Sequence, residues 1–218
     1  MAKITALTDD LCRYLINHRT ADDDILKELR AETFERVGAL GVMMIPEDAG
    51  TFLSVLVGAL APKFAVEVGT FSGYSSIYIA RSLAPGGKLL CCDVSEEWTS
   101  VGKPYWQRAG LTERIDLRIA PAIETLRALP DEQIIDFAFI DADKANYIAY
   151  YEEILKRTRP NGMIAIDNVL WHNWLMDAAN QDAEAIGVRE FNDHILSDNR
   201  VQSSMIHVSD GITLIRKL

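Results

Sequence analysis

Two polar motifs that each follow an apolar run contain side chains suited to binding a hard cation. The first, IDADKANY (140–147), places Asp141, Asp143 and Lys144 directly after IIDFAFI, and the second, AIDNV (165–169), places Asp167 and Asn168 after GMIAI. Parallel strands end at one edge of a sheet, so these side chains can meet there. Two carboxylates and an amide oxygen suit Mg²⁺. The alternative is that Asp167 and Asn168 only cap the next helix.

A glycine-rich segment, VEVGTFSGYSS (66–76), indicates a second site. Gly69 and Gly73 allow a tight turn and a close backbone approach, which could serve a ligand or only the strand-to-helix connection. Glu67 precedes the turn, where its carboxylate could face a cationic ligand group. Asp93 ends the next apolar run, a position suited to accept hydrogen bonds from ribose hydroxyls. Together the turn and Asp93 predict an adenosine-type ligand.

These motifs require a sheet that brings strand ends together. Apolar runs alternate with stretches long enough for helices from Phe64 onward, which predicts parallel strands with helices on both faces. The last two runs, VQSSMIHV and GITLIRKL, are joined by Ser209-Asp210-Gly211, a strong signal for an antiparallel hairpin. The pattern predicts an α/β, mostly parallel seven-stranded sheet with an antiparallel end, and such a sheet resembles the Rossmann-like class I methyltransferase fold.

The length of 218 residues suits one domain, with helices over residues 1–60 and the α/β core over 61–218. The Thr8-Asp9-Asp10 sequence predicts the start of the first helix, and residues 22–40 have helical spacing. Pro46-Glu47-Asp48 can start a third helix, with Pro46 near its first turn.

The amino-acid composition limits the classes of binding partner and the cellular location that are expected. The net charge of −10, with no long Lys/Arg run, makes nucleic acid an unfavourable partner. Three cysteines, no membrane-length apolar run and no signal-peptide core predict a cytoplasmic protein. His18, His194 and His207 are expected to have no partner cluster.

Taken together, VEVGTFSGYSS, CCDV, IDADKANY, IDNVLW, VREFN and DGITLIRK resemble the caffeoyl-CoA O-methyltransferase-like family, which is related to catechol O-methyltransferase. The resemblance runs from about Met43 to Leu218 and is weaker over the N-terminal helices. It implies an S-adenosyl-L-methionine-dependent and divalent-metal-dependent O-methyltransferase, commonly a homodimer. The implied acceptor is a small catechol-like or vicinal-dihydroxy molecule. The alternatives are a tRNA hydroxyuridine O-methyltransferase and a non-catalytic cofactor-binding protein.

The resemblance also implies roles for individual residues. The general base would be Lys144, with Asp141 near the methyl donor. The substrate would contact His172 and Trp171, although simple packing is an open alternative for Trp171 and Trp174. Asn173 stands where the family commonly has glycine, and Ile45 replaces a hydroxyl residue of plant members. The metal ligands would be Asp141, Asp167 and Asn168, and the cofactor site would comprise Met43, Ile45, Glu67, Gly69, Thr70, Ser75, Asp93, Ala122 and Asp141.

Overall fold

A computed structural model describes residues 5–177 and 179–218. Residues 1–4 of the predicted N-terminal helical region and Ala178 lie outside the described residues. The strands are β1 (Phe64–Val68), β2 (Lys88–Asp93), β3 (Ile115–Ile119), β4 (Ile135–Ile140), β5 (Thr158–Ile166), β6 (Val201–Ile206) and β7 (Ile212–Lys217). In the described ranges, they form one seven-stranded sheet with the order β3-β2-β1-β4-β5-β7-β6. The neighbours among β1 to β5 pair in parallel, whereas β7 is antiparallel to both β5 and β6. This confirms the predicted parallel sheet with a C-terminal antiparallel hairpin.

Helices cover both faces of the sheet because side chains alternate along each buried strand. The helices are α1 (Asp9–Asn17), α2 (Asp24–Val37), α3 (Glu47–Leu60), α4 (Tyr74–Ser82), α5 (Glu96–Arg108), α6 (Ala122–Ala128), α7 (Tyr147–Arg157) and α8 (Ala183–Leu196). On β4, Phe137 and Phe139 join one apolar cluster with α2 to α5, and Ala138 and Ile140 join the opposite cluster with α6 to α8.

The N-terminal helices begin close to where the sequence predicts. Thr8 caps α1 by accepting a hydrogen bond from the Leu11 amide at 3.3 Å, and α3 begins at Glu47 directly after Pro46. The second helix is shorter than predicted. It ends at Val37 because Gly38 adopts a left-handed φ of 58°, and a 3₁₀ segment then runs through Gly38–Met43. That segment delivers Met43 and the residues after it to the sheet edge.

No single helix in the described part of the chain has the length and apolarity of a membrane span. Asp24–Met43 and Glu47–Leu60 reach that composition only as a pair, and they are bent by 79° relative to each other.

Candidate active site

A cavity of about 890 Å³ lies at the carboxyl ends of β1, β2, β4 and β5. The parallel arrangement brings together motifs that are far apart in the sequence, as expected for an open α/β sheet. Every residue predicted for the site lines this cavity except Glu67. The lining therefore includes Met43, Ile45, Gly69, Thr70, Ser75, Asp93, Ala122, Asp141, Lys144, Asp167, Asn168, Trp171 and His172.

The glycines of the turn after β1 are required by close packing within the protein. Gly69 has a φ of 89°, and a Cβ atom there would collide with the backbone carbonyl of Asp141. Gly73 has a φ of 76°, and a Cβ atom there would collide with the Trp106 ring. These glycines therefore permit close approach to neighbouring parts of the protein. This agrees with the alternative in which they serve the strand-to-helix connection. The same turn still forms one wall of the cavity.

Asp93 organises this turn from the end of β2. Its Oδ2 accepts hydrogen bonds from the amides of Thr70 at 3.0 Å and Phe71 at 2.7 Å, and its Oδ1 accepts from the Ser95 amide at 2.8 Å. A carboxylate has about four acceptor positions, so Asp93 retains capacity for a further donor from the cavity. The side chain both shapes the turn and presents a negative charge to any ligand there.

Glu67 does not have the predicted direct exposure to a ligand. It is fully buried, and its Oε2 accepts hydrogen bonds from the Ser76 hydroxyl and from Cys91 Sγ at 3.3 Å. Its Oε1 has no hydrogen-bond partner among the described residues. Burial raises the pKa of Glu67 to about 7, although nearby hydroxyls, including that of Thr70, partly offset this effect. The carboxyl group thus lies beneath the turn and outside the cavity lining. A strand position alone could not reveal this.

Lys144 lies at the other polar wall, and its contacts differ from those of a surface lysine. It is only 7% exposed, and its Nζ donates to Asp141 Oδ1 at 3.2 Å and to the Ala142 carbonyl at 2.8 Å. It also lies 5.2 Å from the centre of the Trp171 ring. Asp143 instead accepts a hydrogen bond from the Tyr150 hydroxyl at 2.7 Å. The ammonium group is therefore held beside Asp141 and faces the cavity.

Asp167 and Asn168 have the surroundings expected of cation ligands. Asp167 is 1% exposed, and burial together with the charge of Asp141 raises its pKa well above the ordinary value. A cation bound between these carboxylates would relieve both effects. Asn168 adopts a left-handed φ of 55°. The 3₁₀ segment that follows, Trp171–Met176, has Leu170 at its N-cap position and receives no hydrogen bond from a capping side chain. The helix-cap alternative is therefore wrong, and the oxygen-only set fits Mg²⁺.

The segment after β5 forms the mouth of the cavity. Trp171, His172 and Asn173 have φ values of 43°, 54° and 65°, a run of left-handed residues that local contacts must stabilise. The Asp210 Oδ1 atom accepts a hydrogen bond from the His172 amide at 2.8 Å. Its Oδ2 is buried, has no hydrogen-bond partner among the described residues, and lies 3.7 Å from His172 Nδ1. Asp210 lines the cavity, although its Asp-Gly sequence signalled only a hairpin turn.

Two residues of α2 also line the cavity, and sequence reasoning missed both. Arg30 and Phe34 lie one helical turn apart, and the Arg30 guanidinium lies 5.6 Å from the Phe34 ring centre. They reach the site only because α2 packs against α4 and the 3₁₀ segment after it. A local sequence pattern carries no signal of that contact.

The prediction that His194 lacks a partner cluster is wrong. Its Nε2 lies 2.9 Å from Glu152 Oε1, and together with Asp198 these side chains form a group with the spacing of cation ligands. The Arg200 guanidinium already pairs with Glu152 at 2.6 Å and with Asp198 at 2.7 Å. None of these four residues lines the cavity. We therefore assign them to an ion-pair network that holds α7 and α8 to the start of β6.

Comparisons with known proteins cover nearly the whole chain. The sequence profile of the O-methyltransferase family matches residues 16–218. A "Probable caffeoyl-CoA O-methyltransferase 2" from Dictyostelium discoideum is 39% identical, covering 96% of this chain and 92% of that relative. "Catechol O-methyltransferase domain-containing protein 1" from Mus musculus is 34% identical, covering 95% of this chain and 80% of that relative. The crystal structure of an O-methyltransferase from Bacillus cereus in complex with SAH has a TM-score of 0.86 at 28% identity, covering 96% and 97% of the two chains. The matched residues include the segments that line the cavity.

Proposed function

The chain belongs to the O-methyltransferase family that includes caffeoyl-CoA and catechol O-methyltransferase-like proteins, and from this premise we propose which acceptor it methylates and how. It is an S-adenosyl-L-methionine-dependent O-methyltransferase with a class I methyltransferase fold. The proposed acceptor is a small catechol-like or vicinal-dihydroxy molecule. The proposed metal is a divalent cation, Mg²⁺, held by Asp141, Asp167 and Asn168.

One observation carries this proposal. The four side chains suited to activating a hydroxyl, Asp141, Lys144, Asp167 and Asn168, lie on one wall of a cavity that the turn after β1 also lines. A non-catalytic cofactor-binding protein would have no use for this wall. An acceptor with two adjacent oxygens fits a cation site that keeps positions open for ligands other than protein.

The protein's own groups have separable tasks in the transfer. A bound Mg²⁺ would supply positive charge that lowers the pKa of the acceptor hydroxyl. Lys144 Nζ is fixed by Asp141 and the Ala142 carbonyl. As a neutral amine it accepts the hydroxyl proton, and as an ammonium group it donates a hydrogen bond to the oxyanion that forms. The turn after β1 and Asp93 orient the methyl donor. Holding the hydroxyl oxygen and the methyl group in a near-attack geometry supplies much of the rate enhancement.

The charge of the cavity supports a small acceptor over tRNA. The lining includes the three carboxylates assigned above, Asp93, Asp141 and Asp167. It also includes Asp143, Glu184 and Asp210. The cations among the described lining residues are Arg30 and Lys144, with His172 as a titratable neighbour. Such a cavity repels a polyphosphate backbone, so a neutral acceptor is favoured.

Product analysis tests the proposal. The Mg²⁺-loaded enzyme is incubated with methyl-labelled S-adenosyl-L-methionine and, in separate reactions, with catechol, phenol and bulk tRNA, followed by mass spectrometry. We expect a singly methylated catechol and no product from phenol, since phenol has one oxygen to offer. Methylated nucleoside from tRNA, with no methylated catechol, would contradict the proposed acceptor.

We also propose the homodimer that the family resemblance implies. Helix α1 has no buried residue, and Tyr14, Leu15 and Ile16 are exposed on it. A second copy could cover this apolar surface. Sedimentation velocity measures the oligomeric state directly, and a monomer at micromolar concentration would contradict this proposal. The cytoplasmic location stays a prediction.

A further inference from the structure

Arg30 is a cavity-lining cation that lacks a carboxylate partner. No ion pair among the described residues includes it, whereas Lys144, the other fixed cation of the lining, pairs with Asp141. Its Nη1 donates to the Ile45 carbonyl at 3.3 Å. Its guanidinium lies 5.6 Å from the centres of the Phe34 and Tyr74 rings. The two rings and the carbonyl hold the planar group in place, and most of its five N–H donors remain free.

The surroundings of Arg30 are suited to an anion. Tyr74, on which Arg30 packs, is the first residue of the nine-residue helix α4, and the N-cap residue Gly73 supplies no side-chain cap. Thr70 and Ser72, just before this helix, are 2% and 1% exposed and line the cavity. The Ser72 hydroxyl oxygen has no hydrogen-bond partner among the described residues. A helix N-terminus, a guanidinium and an unpaired buried hydroxyl thus line the same cavity, which favours a carboxylate ligand.

We propose that Arg30 binds the α-carboxylate of the methionine part of S-adenosyl-L-methionine. The other groups of the donor have different counterparts, since Asp93 is placed for ribose at the end of β2. Ile45 and Met43, which lie beside Arg30 in the lining, are apolar and offer no side-chain donor. Arg30 is therefore the charged donor available to the carboxylate on this side of the cavity. Its planar fork can pair with both carboxylate oxygens.

Two other roles for Arg30 make different predictions. A purely structural role, in which Arg30 only holds the Ile45 carbonyl and packs on the rings, would affect all cofactor analogues alike. A role in binding a carboxylate on the acceptor would leave cofactor affinity unchanged. The decisive comparison is between S-adenosyl-L-methionine and decarboxylated S-adenosylmethionine, because these ligands differ only in the carboxylate.

The experiment measures the dissociation constants of both ligands by calorimetry for the wild type and for Arg30→Met. Wild-type protein should bind S-adenosyl-L-methionine roughly 10- to 150-fold more tightly than the decarboxylated ligand, as expected for a charge-assisted hydrogen-bonded pair. Arg30→Met should remove most of this preference by weakening only the carboxylated ligand. Equal weakening of both ligands would overturn the proposal. The proposal would also be overturned if Arg30→Met bound S-adenosyl-L-methionine with unchanged affinity and showed a raised KM only for dihydroxybenzoate acceptors.

Matched variants control for folding and for net charge. Arg114 is also partly buried, and within the described ranges its side chain bonds only to the backbone carbonyls of Ala80 and Leu83. It does not line the cavity. Arg114→Met should keep the wild-type preference between the two ligands. If Arg30→Met does not fold, Arg30→Gln serves in its place, since it keeps a donor for the Ile45 carbonyl but loses the charge. A wild-type preference in Arg30→Gln would overturn the proposal. The calorimetric comparison of the two ligands involves neither acceptor nor metal, so it is independent of the proposed acceptor and cation.

Discussion

Replacing Glu67 with Gln should change how the stability of the protein depends on pH. Glu67 is fully buried between β1 and α4, and burial raises its pKa to about 7 from an ordinary value of 4.5. A pKa that is higher in the folded protein means that proton binding favours folding. This stabilisation is fully present below about pH 4.5 and is lost as the pH rises through about 7. A pKa difference of one between the folded and unfolded states corresponds to about 1.4 kcal/mol. The rise in the pKa of Glu67 from 4.5 to about 7 therefore corresponds to about 3 kcal/mol in the free energy of unfolding.

Urea denaturation of both proteins without ligand, at several pH values from about 4.5 to about 8.5, measures this effect. Contributions from other titrating groups cancel in the difference between the wild type and Glu67→Gln. Relative to the variant, the wild type should therefore lose about 3 kcal/mol across this range. Glu35→Gln, which removes an exposed carboxylate of α2, controls for the loss of one carboxylate. A difference between the wild type and Glu67→Gln that stays constant with pH would refute the argument, since it would mean that burial does not hold the proton on Glu67.

Three further substitutions test the remaining roles. Asp93→Asn should weaken S-adenosylhomocysteine binding by roughly 1.5–3 kcal/mol while leaving Mg²⁺ binding unchanged, and an unchanged calorimetric affinity for S-adenosylhomocysteine would remove Asp93 from the cofactor site. Asp167→Asn should raise the free energy of unfolding in excess chelator, because burial and the charge of Asp141 disfavour the ionised carboxyl, and should abolish Mg²⁺ binding. A lower stability in chelator would contradict that reasoning. Lys144→Ala should reduce kcat roughly 10²- to 10⁴-fold with little change in cofactor affinity, and a near-normal kcat would show that Lys144 is not the base.

The sheet and the strand-end side chains could be predicted from the sequence because buried parallel strands are nearly continuous apolar runs. A polar residue after such a run marks the strand end, as Asp141 and Asp167 do. Those ends share one edge of the sheet, so the sequence also indicates which residues converge. The hairpin was equally clear, since Asp-Gly between two apolar runs has few other structural uses.

Residues whose placement depends on long-range packing could not be predicted. Arg30 reaches the cavity through the packing of α2 on α4, and Asp210 reaches it through the fold of the segment after β5. Glu67 directly precedes Val68, which lines the cavity, but only the position of α4 and β2 decides that the Glu67 carboxyl group lies beneath the turn. His194 pairs with Glu152 of α7, which lies 42 residues away in the sequence.

The most direct test of the central claim is the metal dependence of catechol methylation. Enzyme stripped of metal by dialysis against a chelator is assayed for transfer of the labelled methyl group to catechol, before and after addition of Mg²⁺. The proposed mechanism predicts negligible transfer in excess chelator, full recovery with Mg²⁺ for the wild type, and no recovery for Asp167→Asn. Undiminished transfer in excess chelator would contradict it, because Asp141, Asp167 and Asn168 would then have no part in activating the hydroxyl.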